Sequence, residues 1–161
     1  MGSRYGRQLR YAGEPAPAFR LKDLDGCERS LEELTGGGPV LLAFFKTTCP
    51  VCQYTFPFLE RLARSGMRVF GISQDGVPAT REYNSDFGVT FPTLLDPAAD
   101  GYAVSNAYGI SVVPTLFLVG ADGKIQLTSE GFVKRDLEAL AAEVSAAVFR
   151  PDEYVPEWKA G

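Results

Sequence analysis

The chain has 161 residues, 45% of them apolar and 22% charged, the proportions of one globular domain with a single sizeable core. Sixteen basic against twenty acidic residues leave a net charge of −4, and the basic ones are scattered apart from Arg4, Arg7 and Arg10, which argues against a nucleic-acid or anionic-membrane partner. There is no histidine and there are three cysteines, so imidazole bases, histidine-ligated metals, disulfide scaffolds and four-cysteine zinc sites all drop out.

In chain order, Met1–Gly13 is polar and basic and reads as a flexible leader. It has no apolar core or cleavage site of a signal peptide, so the expectation is a cytoplasmic protein, with an exported protein whose signal has been removed as the alternative. Phe19, Leu21 and Leu24 alternate up to Asp25-Gly26, a hairpin signal, and Cys27 follows as a hairpin residue. Ser30 with Glu33 makes a capping box for a short helix through Leu34, which Gly36-Gly37-Gly38 ends. Val40 to Phe45 is an unbroken apolar strand of the kind covered on both faces, and it is far shorter than the roughly 18 residues of a membrane span.

Residues 50–65 read as a helix, with Pro50 suited to its first position, Phe56, Leu59 and Leu62 on one side, and Pro57 predicting a kink. Met67–Ser73 is a strand, Pro78–Phe87 a helix, Phe91–Leu95 a short strand and Asp100–Tyr108 a helix. Pro114 opens a strand through Val119, and Ala121-Asp122-Gly123-Lys124 turns into a further strand over Ile125–Thr128. Lys134–Val148 is the clearest amphipathic helix, with Leu137, Leu140, Val144 and Val148 on one face. Phe149–Gly161 reads as an extended C-terminal surface tail. Strands separated by helices, then a hairpin and a last helix, give an α/β domain over residues 14–148 with a mixed sheet flanked by helices.

The chemistry sits in Cys49-Pro50-Val51-Cys52, where the long strand turns into a helix. Helix-start N–H groups lack internal partners and the dipole is positive there, so a thiolate on Cys49 is favoured. Cys52, one turn on, lies on the same face and can close a small disulfide ring. That is a redox pair with a nucleophilic outer thiol and a resolving inner one. Two buried core cysteines, or half of a zinc site, are the bland alternatives; no other cysteine pair or histidine completes the latter. Lys46 either adds positive charge favouring the thiolate or is an ordinary solvated loop lysine.

The stretch Ala43-Phe44-Phe45-Lys46-Thr47-Thr48-Cys49-Pro50-Val51-Cys52 resembles the active-site strand, loop and helix of thioredoxins, and Ile110-Ser111-Val112-Val113-Pro114-Thr115 resembles the loop that faces that site with a cis-proline. Ala16-Pro17-Ala18-Phe19 with Leu24-Asp25-Gly26, Phe91-Pro92-Thr93-Leu94-Leu95-Asp96 and Asp122-Gly123-Lys124-Ile125 are similar to the redoxin branch, the TlpA/ResA-like thiol-disulfide oxidoreductases and their AhpC/TSA-type peroxiredoxin relatives. The resemblance implies a thioredoxin fold with an N-terminal hairpin extension and dithiol–disulfide exchange without a bound cofactor. It implies attack by Cys49 on a protein disulfide, resolution by Cys52, and recharging by a redox-recycling partner. Thr48, Pro50 and Val51 would shape the site, and a cis Val113–Pro114 bond would present the backbone of Val113 as an edge for a substrate chain. Where thioredoxins place an aspartate before the first cysteine, and ResA-like proteins a glutamate after the second, this chain has Ala43 and Thr55. Water, Glu60 or Asp75 are the remaining acceptors for the Cys52 proton.

Two other functions stay open at this level. A peroxiredoxin-like thiol peroxidase would use Cys52 as its peroxidatic residue, with Arg135 as the available arginine. A non-enzymatic module binding a partner or Cu(I) would use the two thiols as ligands.

Overall fold

The computed structural model describes residues 8–161. The hairpin of β1 (Arg20–Asp23) and β2 (Glu28–Ser30) leads into α1 (Leu31–Gly36), then β3 (Val40–Phe45), α2 (Pro50–Arg64), β4 (Val69–Ser73) and α3 (Val77–Asp86). The chain continues through β5 (Thr93–Leu95), a 3₁₀ turn (Ala98–Asp100), α4 (Ala103–Tyr108), β6 (Thr115–Val119), β7 (Ile125–Glu130), β8 (Phe132–Val133), α5 (Lys134–Glu143) and β9 (Trp158–Lys159). Seven strands form the main sheet in the order β2-β1-β5-β4-β3-β6-β7, and β8 pairs with β9 in a separate ribbon. β3, β4 and β5 run parallel, while β6, β7 and the β1–β2 hairpin are antiparallel to their neighbours. The mixed sheet and the hairpin extension are the architecture the resemblance implied.

β3 explains why one strand can organise the domain. All six of its residues are buried, and the period-two geometry of a strand sends them alternately to two cores. Leu41, Ala43 and Phe45 join α2, α3 and α5 on one face, together with Cys52, Phe56 and Leu137. Val40, Leu42 and Phe44 join α1 and α4 on the other, against Leu34, Tyr108 and Phe117. Each fully buried Leu or Phe stabilises the fold by about 1.5–3 kcal/mol over leaving it exposed. β3 ends in the middle of the sheet, so its exit is flanked by β4 on one side and β6 on the other.

Local signals hold where chemistry is local. Ser30 caps α1 through the expected box, its hydroxyl accepting from Glu33 N while Glu33 Oε1 accepts from Ser30 N at 3.0 Å. The Asp25-Gly26 turn closes the hairpin with Gly26 at φ 85°, and Cys27 is exposed in it, its N–H donating to Asp23 Oδ1 at 2.9 Å. α2 runs through Pro57 from Pro50 to Arg64.

Several boundaries differ from the expectation. α5 stops at Glu143 instead of continuing to Val148, because Ser145 takes a left-handed φ of 52°. Val148 still reaches the core, 3% exposed, through the turn that follows. The helix expected from Asp100 starts at Ala103, with Tyr102 at φ 53° separating it from the 3₁₀ turn. β7 runs two residues further, to Glu130.

Of the segment expected as a flexible leader, Met1–Arg7 lies outside the described residues. Residues 8–13 are tied to the domain: Arg10 N donates to Tyr108 O at 3.2 Å and Gly13 N to Ile125 O at 2.8 Å. The Gln8–Leu9 backbone crosses directly over Gly109, which has φ 75° and leaves no room there for a Cβ. Residues 149–161 do more than run over the surface. Phe149 packs edge-on against Phe58 with centroids 5.1 Å apart, Val155 is buried, and β9 pairs antiparallel with β8.

Candidate active site

Cys49 is the N-cap of α2. β3 ends at Phe45, the loop Lys46–Thr48 turns the chain, and Pro50 fills the first helical position, where a missing N–H costs nothing. The loop is fixed from both sides: Thr47 N donates to Asp75 Oδ2 at 2.7 Å, and Thr47 O accepts from Gln53 Nε2 at 3.0 Å. Asp75 comes from the exit of β4 and Gln53 from the first turn of α2, so neighbouring elements hold the loop that aims Cys49.

The two sulfurs have opposite environments. Cys49 is half-buried at the surface, and its Sγ accepts the N–H of Cys52 at 3.1 Å. This is the helix-start arrangement in which an orphan amide faces a capping atom. Sγ of Cys49 also lies 3.4 Å from the carbonyl of Val113, to which its thiol donates. Cys52 is fully buried beneath it. Burial pushes the Cys52 thiol far up, and its hydrogen bond with the Cys49 side chain adds in the same direction. Both cysteines are free thiols, so the geometry is that of the reduced pair.

Across from the pair, Val113–Pro114 is a cis peptide, as the resemblance implied. Pro114 is buried and Val113 half-buried. β6 begins two residues after Val113, which leaves the Val113 carbonyl directed at Cys49. Thr48 and Pro50 are exposed beside the pair, while Val51 packs against the core that holds Cys52. Lys46 is exposed and forms one wall of an open groove of about 430 Å³ with Gln74, Tyr102, Ser111, Val113 and Gly161. The structure brings Cys49, Cys52 and Val113 into contact, with Lys46, Thr48 and Pro50 exposed near them and Pro114 buried.

The two carboxylates considered for the Cys52 proton are engaged elsewhere. Asp75 holds Thr47. Glu60 accepts from Thr90 N at 2.8 Å and from Arg64 Nε at 3.0 Å; burial pushes it up, but these bonds outweigh burial and hold it below its ordinary value. Ala43 and Thr55 are both fully buried, and Thr55 spends its hydroxyl on Val51 O at 2.7 Å. Arg135 is exposed at the start of α5.

Three neighbours escaped the sequence reading. Gln53 acts through Thr47, and its only signal was its place in the first helical turn. Tyr83 of α3 is buried with its hydroxyl unpartnered, its ring 4.9 Å from Phe45 and 5.5 Å from Phe56. Burial pushes this hydroxyl up, and negative charge on Cys52 or Cys49 would push the same way. Gly161 reaches the rim through the β8–β9 pairing, which no local pattern announced. No helix of the described residues is long and apolar enough to cross a membrane.

A model of the AhpC/TSA family matches residues 12–128. The chain is 35% identical over 124 residues to the thiol-disulfide oxidoreductase ResA of Halalkalibacterium halodurans, covering 74% of this chain and 68% of that one. It is 32% identical over 130 residues to ResA of Geobacillus thermodenitrificans, covering 77% and 72%. Among solved structures, the thioredoxin domain of a thiol-disulfide oxidoreductase from Bacteroides vulgatus aligns with a TM-score of 0.71 at 25% identity, over 82% of this chain and 96% of that one.

Proposed function

The chain belongs to the AhpC/TSA family and is a ResA-like thiol-disulfide oxidoreductase, and within that identity we propose that Cys49 is the attacking thiol and Cys52 the resolving one, acting on protein disulfides. The observation that carries this is the asymmetry of the pair: one sulfur at the rim under an amide N–H, the other sealed below it. Cys49, as thiolate, attacks one sulfur of a substrate disulfide. An S–S bond forms between Cys49 and the substrate, the substrate S–S bond breaks, and one substrate thiolate leaves.

Cys52, kept protonated by its burial until then, gives its proton to that departing thiolate and attacks Cys49 Sγ. The mixed disulfide breaks, Cys49–Cys52 forms, and the second substrate sulfur leaves as a thiolate. Two electrons have passed from the pair to the substrate. The reverse sequence oxidises a dithiol. Each turnover leaves the pair in the opposite redox state, so a second partner must recharge it. Two thiols suffice for every step, without a cofactor. A peroxidase mechanism through Cys52 would need peroxide to reach a fully buried thiol, which favours the exchange reading.

The experiment is to equilibrate the protein in graded thiol/disulfide buffers and count alkylated cysteines by mass spectrometry. The expected result is a reversible two-electron Cys49–Cys52 bridge, lost in Cys49→Ser. Cys52→Ser should accumulate a mixed disulfide with the buffer thiol. A midpoint near or below about −250 mV would mark a reductant and one toward about −120 mV an oxidant. Failure to bridge at any poise overturns the assignment. The cytoplasmic setting belongs to the same proposal, and recovery of the native protein outside the cytoplasm on cell fractionation overturns that part.

A further inference from the structure

The Val113 carbonyl, 3.4 Å from Cys49 Sγ, is the backbone group that faces the attacking sulfur from outside α2. It is not open. The segment that follows α5 crosses back over the reactive face and brings Gly161 against it. The approach is close enough that a Cβ on Gly161 would stand 2.6 Å from Val113 O and 3.1 Å from its carbonyl carbon. Only a residue without a side chain lies in that position undisturbed.

The path of the segment has a firm base and a light tip. At the base, Arg61 of α2 clasps Glu153 with two bonds of 2.7 Å and donates to Val148 O at 3.0 Å, and Val155 is buried. At the tip, Phe132 pairs with Lys159 and Val133 with Trp158, and Lys134 N donates to Glu157 O at 2.9 Å. Lys159 Nζ stands 5.0 Å from the Tyr54 ring, one turn along α2 from the cysteines. Gly131 makes room for the crossing, since a Cβ there would meet Lys159 O at 2.5 Å. Trp158, Lys159, Ala160 and Gly161 are all exposed. A two-residue ladder with exposed side chains belongs to the low-stability end of a fold, where local opening is easy.

We propose that residues 158–161 act as a built-in competitor: they occupy the backbone edge at Val113 that an extended protein substrate needs, and must lift before such a substrate reaches Cys49. A small disulfide needs only the sulfur and not the edge, so the segment leaves it free access. The device therefore discriminates between extended chains and small disulfides, and it makes protein exchange dependent on the docking equilibrium of the segment. This rests on the assignment of Cys49 as the attacking thiol.

The test is a single-turnover comparison of the reduced 161-residue protein, a variant lacking residues 158–161, and Gly161→Ala, each against two probes. One probe is an extended peptide with an internal disulfide, the other bis(2-hydroxyethyl) disulfide. If the docked form dominates, its release raises the peptide rate by the reciprocal of the open fraction, on the order of three- to ten-fold. The small probe should react equally with all three proteins. Gly161→Ala keeps the Arg61–Glu153 clasp and Val155 in place, so it carries the test should the deletion variant fail to fold. It should move the peptide rate in the same direction.

An unchanged or slower peptide rate in the variants overturns the proposal, the slower case making the segment a wall of the binding groove. If neither probe oxidises any of the three proteins, the exchange assignment itself fails. That outcome is distinct from the first.

Discussion

On one face of the sheet, Leu41, Ala43 and Phe45 pack beneath α2 among Phe56, Tyr83 and the buried Cys52. On the other, Val40, Leu42 and Phe44 pack against Phe117 and Tyr108. The two cores share a backbone and a similar aromatic density, but they treat polar groups differently. The single buried phenol of the second core donates to Pro17 O at 2.8 Å. The first core leaves Tyr83 Oη and Asn84 Oδ1 as the unpaired buried side-chain atoms among the described residues, both on α3. Unpaired buried polar atoms are rare and costly, and departures from ideal packing gather at functional sites. The difference separates a face built for chemistry from a face built for rigidity, so activity and stability should fail independently.

The sharpest separation is Cys49→Ser, which should abolish disulfide exchange while the thermal midpoint moves little, read by single-turnover kinetics and calorimetry on the same sample. Its mirror image is Phe117→Ala. Phe117 is fully buried, edge-on to Phe44 at 5.7 Å and to Tyr108 at 5.1 Å. Its truncation should cost about 3–5 kcal/mol in denaturant unfolding and leave the exchange rate of the folded fraction unchanged. A large loss of rate in the folded Phe117→Ala protein would break the comparison.

Intermediate effects sharpen it. Asp75→Ala frees the Thr47 N–H and so the loop that aims Cys49; exchange should slow by about ten-fold for a stability cost of about 1–3 kcal/mol. Asp75→Asn, which keeps an acceptor, should recover most of the rate, an outcome that a merely structural loss would not give. Tyr108→Phe removes one neutral hydrogen bond on the rigid face and should cost about 0.5–1.5 kcal/mol with no kinetic effect.

The smallest effect is one of pH. The Arg61 guanidinium holds Glu153 down to about 2, below the ordinary 4.5. A depressed carboxylate stabilises above its unfolded value, and that contribution is lost as pH falls from 4.5 toward 2. Docking of residues 149–161, followed by hydrogen exchange, should therefore loosen in that window, and Arg61→Leu should remove the pH dependence.

The sequence was legible wherever the signal was local. The six apolar residues of β3, the Ser30–Glu33 box and the cysteine pair with proline at the helix start all stated their places within a few positions, and the structure puts them there. It misled where periodicity outran the backbone. Val144 and Val148 keep the helical spacing, yet α5 ends at Glu143 because Ser145 turns left-handed. It was silent where contacts are distant. Nothing near Trp158 announces pairing with Val133, and nothing near Asp75 announces that it holds Thr47. Such contacts are set by where the sheet delivers its ends, which no window of neighbouring residues contains.

The placement of Trp158 has a consequence for optical work. It is the sole indole in the chain and stands 63% exposed on β9, while Thr48 fills the position before the first cysteine. Oxidising the dithiol should therefore leave tryptophan emission almost unchanged. A change in that emission should report displacement of β9 rather than transfer of electrons.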